Sequence, residues 1–188
     1  YTERLLRTWA KVVHAVPNSR FEFIRPEGNT PAFRRNVEAA FAKEGVEADR
    51  LVFRSVRGVH MQYYNEIDIT LDPFPLTGGT STCEALWMGV PVVNLRGPAL
   101  FERLSGSILT NLDLSHHIAD DLETYQDIAV KLVADRAQRL DLRTNLRQRM
   151  KDSPLGQTKA FADDFYAMIE AAVTAGNTPT AASLERVG

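Results

Sequence analysis

Leu71-Asp-Pro-Phe-Pro-Leu-Thr-Gly-Gly-Thr-Ser-Thr-Cys-Glu-Ala-Leu-Trp-Met-Gly-Val-Pro91 is the stretch on which the fold turns. Ahead of it, Ile67 to Leu71 is a β-branched, apolar run that ends in the turn formers Asp72, Pro73 and Pro75. Gly78 and Gly79 follow. Thr80 to Met88 then carries Ala85, Leu86 and Met88 as a helical apolar set, with Gly89 placed as its stop, and Val90 to Leu95 begins another apolar run. The order is strand, glycine loop, helix, strand. In a parallel sheet that order brings a helix N-terminus to the carboxyl end of a strand, where ligands of open α/β sheets bind.

Spacing alone leaves two readings of this unit open. In the first, the partnerless amides and the positive dipole end of the helix attract a phosphate, which the missing Cβ atoms of Gly78 and Gly79 allow to come close. Thr80 and Ser81 add hydroxyl donors, and either can cap the helix. Glu84 lies one turn beyond Thr80 on the same face, where a carboxylate can accept from both hydroxyls of a ribose. In the second, the unit is a capped helix with a solvated glutamate and a glycine turn.

Outward from this centre, strands and helices alternate. Thr2 to Ala15 repeats apolar residues at helical spacing, and Arg20 to Arg25 alternates as a short strand. Thr30-Pro31 opens a helix that runs to Glu44 and stops at Gly45; Leu51 to Arg54 is the next strand, and a short helix from His60 to Glu66 follows. Helical segments are expected within Ala99 to Thr110, then over Asp121 to Asp135, Ala137 to Lys151 and Thr158 to Val173. The arginines at 136, 139, 143, 147 and 149 have the spacing of a solvated helix face, Trp87 that of a core residue, and the adjacent pair His116-His117 falls in a loop. The expected fold is α/β: a Rossmann-like parallel sheet with helices on both faces, followed by a helical tail. Residues 1–173 form the expected domain, and 174–188, small and polar, an expected flexible tail.

The 188 residues are 44% apolar, enough for one substantial core. With 22 basic against 24 acidic residues, a polyanion-binding surface is not expected, so nucleic acid is not an expected partner. The single Cys83 excludes an intrachain disulfide and reads as a packed thiol. No apolar run is long enough to span a membrane, and no signal peptide opens the chain, so a cytoplasmic location is expected. Gly-x-Gly-x-x-Gly, the Walker loop and Asp-x-Asp are all missing. A nucleotide site here is therefore expected to be metal-independent, with no cofactor. The chain starts at Tyr1, already near a helix, which reads as a piece of a longer protein.

Val16-Pro-Asn-Ser19, Phe53 to His60, Asp68 to Asp72 and above all Leu71 to Pro91 resemble the C-terminal catalytic lobe of the O-GlcNAc transferase family. That family includes tetratricopeptide-linked bacterial members and SPINDLY-type proteins. Arg103 to Leu114 and Tyr125 to Leu132 are similar to further segments of the lobe in the same order. The resemblance implies a glycosyltransferase B fold, of which this chain is the C-terminal, donor-binding lobe. It implies an inverting transfer of a sugar, GlcNAc from UDP-GlcNAc, to Ser or Thr hydroxyls of a protein or peptide acceptor. A GDP-fucose donor, or a nucleotide-binding scaffold without transfer, stays open as an alternative.

Position by position, the resemblance implies that Gly78, Gly79, Thr80 and Ser81 cradle the donor diphosphate and that Glu84 binds the ribose. Ser55, Arg57 and His60 would flank the base, and Ile24 would sit against the base or ribose. Animal members carry a histidine at the position of Gly79, a lysine at Arg57 and an aspartate at Glu84. A lysine that neutralises the leaving group would fall just before Tyr1, and the acceptor site belongs to an N-terminal lobe outside this numbering. No catalytic residue is therefore expected within this chain, and the chain alone is expected to be inactive.

Overall fold

The structure, a computed structural model, describes residues 1–176. Five short parallel strands carry the architecture: β1 Phe21–Ile24, β2 Leu51–Arg54, β3 Thr70–Leu71, β4 Val92–Leu95 and β5 Ile118–Ala119. Helices α1 Glu3–Ala15, α2 Pro31–Ala42, α3 Thr80–Trp87, α4 Leu104–Thr110, α5 Leu122–Ala134, α6 Arg136–Asp152 and α7 Thr158–Gly176 connect and follow them. Local chemistry sets the ends. Thr2 Oγ1 accepts from the Leu5 amide at the start of α1, and Asp121 caps α5 by accepting from the Thr124 amide at 2.7 Å. Gly45 and Gly89 take the left-handed conformation, φ 76° and 75°, that closes a helix without a Cβ penalty.

β1 pairs with β2, Phe21 opposite Leu51, while β3, β4 and β5 form a second set in that order. The expected parallel sheet is thus present as two hydrogen-bonded sets. A cleft of about 730 Å³ takes its walls from both, Phe23 and Ile24 of β1 and Thr70 and Leu71 of β3 among them. Helices cover both faces. On one, α1, α2 and α5 bury Leu5, Trp9, Val37, Phe41, Tyr125 and Leu132; on the other, α3, α4 and α6 bury Leu86, Leu109, Leu142 and Leu146. β4 feeds both: Val93 and Leu95 belong to the first cluster, Val92 to the second. That period-2 division of a wholly buried strand is what a doubly covered parallel sheet requires.

Three sequence expectations are corrected. Arg136 is exposed as expected, but the arginines at 139, 143, 147 and 149 are clamps on backbone carbonyls rather than a solvated face. Arg143 donates to the carbonyls of Tyr64, Met88 and Ile67, Arg147 to Trp87 and Arg149 to Leu112. Helix ends leave carbonyls without intrahelical partners, and a guanidinium with five donors can serve several at once. Trp87 is not core: it is 37% exposed, with Arg147 and Lys151 over its ring. β5 is a strand where only a loop was expected. α7 continues through residues 174–176, and the expected flexible tail from 177 on lies outside the described residues. Among those residues no helix is long and apolar enough to cross a membrane.

Candidate functional site

The glycine loop hangs from a buried polar frame. Asp72 follows β3 and extends its ladder, its amide donating to the Val93 carbonyl at 2.9 Å. Its Oδ1 accepts from the Gly78 amide and its Oδ2 from Asn94 Nδ2, each at 2.9 Å. Ser105 Oγ donates to the Gly78 carbonyl at 2.8 Å and lies 2.7 Å from Thr82 Oγ1. Thr77 is tied twice to the Phe101 carbonyl. Behind the frame, the Tyr125 hydroxyl donates to the Asp72 carbonyl at 2.9 Å and receives the Trp9 indole N–H at 3.1 Å. Each of these donors has its acceptor, which makes the loop's shape a property of the core rather than of a surface turn.

Its two glycines differ in purpose. A Cβ on Gly78 would lie 2.4 Å from Thr82 Oγ1 and 3.0 Å from Asp72 Oδ1, so glycine is required there by the frame beneath. A Cβ on Gly79 would meet nothing within 4 Å. The Gly78 amide is already committed to Asp72, so the amides presented outward are those of Gly79, Thr80 and Ser81. Gly79 is the N-cap of α3; no side chain caps this helix and no acid sits in its first turn. Thr80 and Ser81, exposed, do not act as the caps their composition suggested. What results is an open, positively polarised helix start suited to an anion.

Glu84 and His60 meet beside that start, His60 Nε2 lying 2.9 Å from Glu84 Oε2. The other ring nitrogen, Nδ1, lies 2.9 Å from the Gly58 carbonyl. With an acceptor at each nitrogen the doubly protonated ring is favoured; the Gly58 carbonyl first, then Glu84, raises the His60 pKa. Burial, then the Glu84 charge, pushes Tyr64 up to about 12, and the same two causes raise the Cys83 thiol, which argues against a nucleophile there. Burial also pushes Asp72 up to about 6, against the pull of its hydrogen bonds.

The sequence-derived residues therefore fall in two groups. Gly78, Gly79, Thr80, Ser81, Glu84 and His60 come together around the start of α3. Ile24, Ser55 and Arg57 lie at the carboxyl ends of β1 and β2, where Ser55 Oγ donates to the Pro26 carbonyl at 2.8 Å. Arg57 is exposed; Glu27, whose pKa is lowered first by its hydrogen bond from Arg25, also feels the Arg57 charge. Among the described residues no hydrogen bond or ion pair joins the two groups, and no cluster of three His, Cys, Asp or Glu side chains could hold a metal. Sequence reasoning missed Asn94 and Ser105. The one available signal was Asn94 itself, a lone polar residue inside the apolar run Val92 to Leu95.

The model of Glycosyl transferase family 41 matches residues 2–165. Two similar proteins are named probable UDP-N-acetylglucosamine–peptide N-acetylglucosaminyltransferase SPINDLY. The Arabidopsis thaliana protein is 34% identical over 86% of this chain and 18% of its own length. That of Oryza sativa subsp. japonica is 36% identical over 82% and 17%. A mutant of the Thermobaculum terrenum O-GlcNAc transferase superposes with a TM-score of 0.80 at 33% identity, over 87% of this chain and 32% of that one. The chain thus spans about 18% of the length of the curated relatives it matches.

Proposed function

The chain belongs to glycosyl transferase family 41, and we propose that it supplies the donor-binding lobe of a protein O-GlcNAc transferase whose donor is UDP-GlcNAc. The observation that carries this reading is the uncapped start of α3 over the glycine loop, with the Glu84 carboxylate held one turn further on. The names of the relatives support the donor and the protein acceptor.

The residues act on the leaving group. When an acceptor Ser or Thr hydroxyl attacks the anomeric carbon, the bond from that carbon to the diphosphate oxygen breaks, and negative charge grows on the diphosphate. The amides of Gly79, Thr80 and Ser81 and the dipole of α3 are fixed in place before the reaction and stabilise that charge as it forms. Glu84 takes the ribose hydroxyls, its carboxylate exchanging His60 for the diol, and the freed His60 ring turns its face to the base. Arg57, exposed at the end of β2, adds a mobile positive charge. No step draws on a metal.

Calorimetric titration of the 188-residue chain with UDP and with GDP, each with and without a chelator, tests this reading. UDP binding that is indifferent to chelator is expected. Affinity that disappears with chelator would overturn the metal-free site, and a clear preference for GDP would overturn the donor.

A further inference from the structure

Asp72 is a carboxylate that the transfer chemistry does not use. It is 2% exposed, and no charged side chain figures among the groups that set its ionisation. The elements packed round it present little that titrates. From α5 comes Tyr125, whose hydroxyl serves the Asp72 carbonyl and whose own pKa burial lifts far above neutrality. β4 brings Asn94, α4 brings Ser105 and α3 brings Thr82, none of them ionisable near neutral pH. α1 places Arg4 over the neighbouring Phe74 ring rather than at the carboxylate. A buried carboxylate with no cation is an expensive anion, and this one sits one residue beneath the amides that the donor reading assigns to a second anion.

Asn94 supplies an independent observation. It is wholly buried, its Nδ2 donates to Asp72 Oδ2, and its Oδ1 has no hydrogen-bond partner. An amide held this way serves either form of its neighbour. As it stands it donates to a carboxylate; turned over about its terminal bond, it presents an oxygen that accepts from a carboxyl O–H. Throughout, Asp72 Oδ1 keeps the Gly78 amide, so the loop does not move when Oδ2 gains a proton.

Resting on the donor reading above, we propose that Asp72 is a positioning residue whose protonation is coupled to donor binding. A diphosphate settling on Gly79, Thr80 and Ser81 draws one proton from solvent onto Asp72 Oδ2, and Asn94 turns over to accept it. The neutral acid then holds the loop without repelling the ligand. Donor affinity accordingly weakens as pH rises through neutrality.

The test is calorimetry of the 188-residue chain with UDP-GlcNAc and GDP-fucose at one pH in buffers of different ionisation heat. Nucleotide sugars are used because a free diphosphate has a terminal group that titrates near neutrality. With the free carboxyl at about 6 and a nearby like charge raising it by one unit or two, uptake of roughly 0.4–0.8 proton per nucleotide sugar is expected at pH 7. Asp72→Asn mimics the protonated state and removes that uptake, together with the fall in affinity between pH 6 and 8. Any His60 contribution is common to both proteins, so their difference isolates Asp72. Binding without proton uptake, or equal uptake in the variant, overturns the coupling. Absence of binding by both nucleotide sugars overturns the donor reading and the coupling with it. If Asp72→Asn does not fold, the Asp72 carboxyl carbon-13 titration of the wild-type chain decides: its midpoint rises with UDP-GlcNAc, and an unmoved midpoint overturns the proposal.

Discussion

His117 is 1% exposed, and neither ring nitrogen has a hydrogen-bond partner among the described residues. Burial first, then the charges of His116 and Arg149, lowers its pKa to about 4 from 6.5. A depressed histidine contributes stability that is full above about pH 6.5 and is lost as pH falls through about 4, worth ~3 kcal/mol over that window. Asp72 runs the other way. Raised to about 6 from 3.8, it contributes stability that is full below about 3.8 and lost as pH rises through 6. The two trends oppose each other, so the wild-type profile is flattened in acid. His117→Phe removes one of them. Urea midpoints measured from pH 7 to pH 4 should show the variant gaining ~3 kcal/mol on wild type across that range, whatever its offset at neutrality. Parallel profiles would mean that His117 is solvated in the folded chain. The sequence placed His116-His117 in a loop, and they lie in the single turn Ser115–His117; the two-residue β5 that follows leaves no periodicity to read.

α3 is the element that ties site to fold, and its ends were legible where its supports were not. Its glycine-rich start and its stop at Gly89 stand in the sequence as turn chemistry at fixed offsets. What holds it does not. The carbonyls at the end of α3 and before β3 are gathered by Arg143 from α6, more than 50 residues away, and an arginine at helical spacing looks the same whether it faces water or a distant carbonyl. Gly89→Ala should therefore cost more than a strained φ. Its Cβ would lie 2.7 Å from the Arg143 carbonyl oxygen, and both backbones would have to give. A loss of ~3 kcal/mol is expected, at the upper end for point changes, whereas Gly79→Ala, with open space at its Cβ, should stay within ~1 kcal/mol. Thermal denaturation of both variants separates these outcomes. Similar losses would place α6 further from α3 than the structure does.

At the scale of the whole molecule, order of elements, parallel pairing and two covered faces were legible because strand, loop and helix alternate with clear punctuation. The division of the strands into two hydrogen-bonded sets, with a cleft between β1 and β3, was not, since which strands pair depends on contacts remote in sequence. Likewise the glycine loop and Glu84 stand in one contiguous stretch, but the frame under them joins Asp72, Asn94, Ser105 and Tyr125 from four elements. That frame preshapes the loop in this chain by itself, so nucleotide affinity should not wait for another lobe. The central claim is that Glu84 grips the ribose of the donor nucleotide, and the most direct measurement is a calorimetric cycle of Glu84→Ala against UDP and its 2′-deoxy form. Glu66→Ala serves as control, because Glu66 is exposed and pairs with Arg54 at 2.6 Å instead of facing the loop. Loss of hydrogen bonds to a charged acceptor predicts ~1.5–3 kcal/mol, roughly tenfold or more in Kd, for Glu84→Ala, with Glu66→Ala near wild type. The deoxy nucleotide should bind wild type more weakly yet lose little further with the variant, as a direct contact requires. Equal losses for the two glutamate variants, or a deoxy penalty that persists undiminished in Glu84→Ala, would contradict the claim.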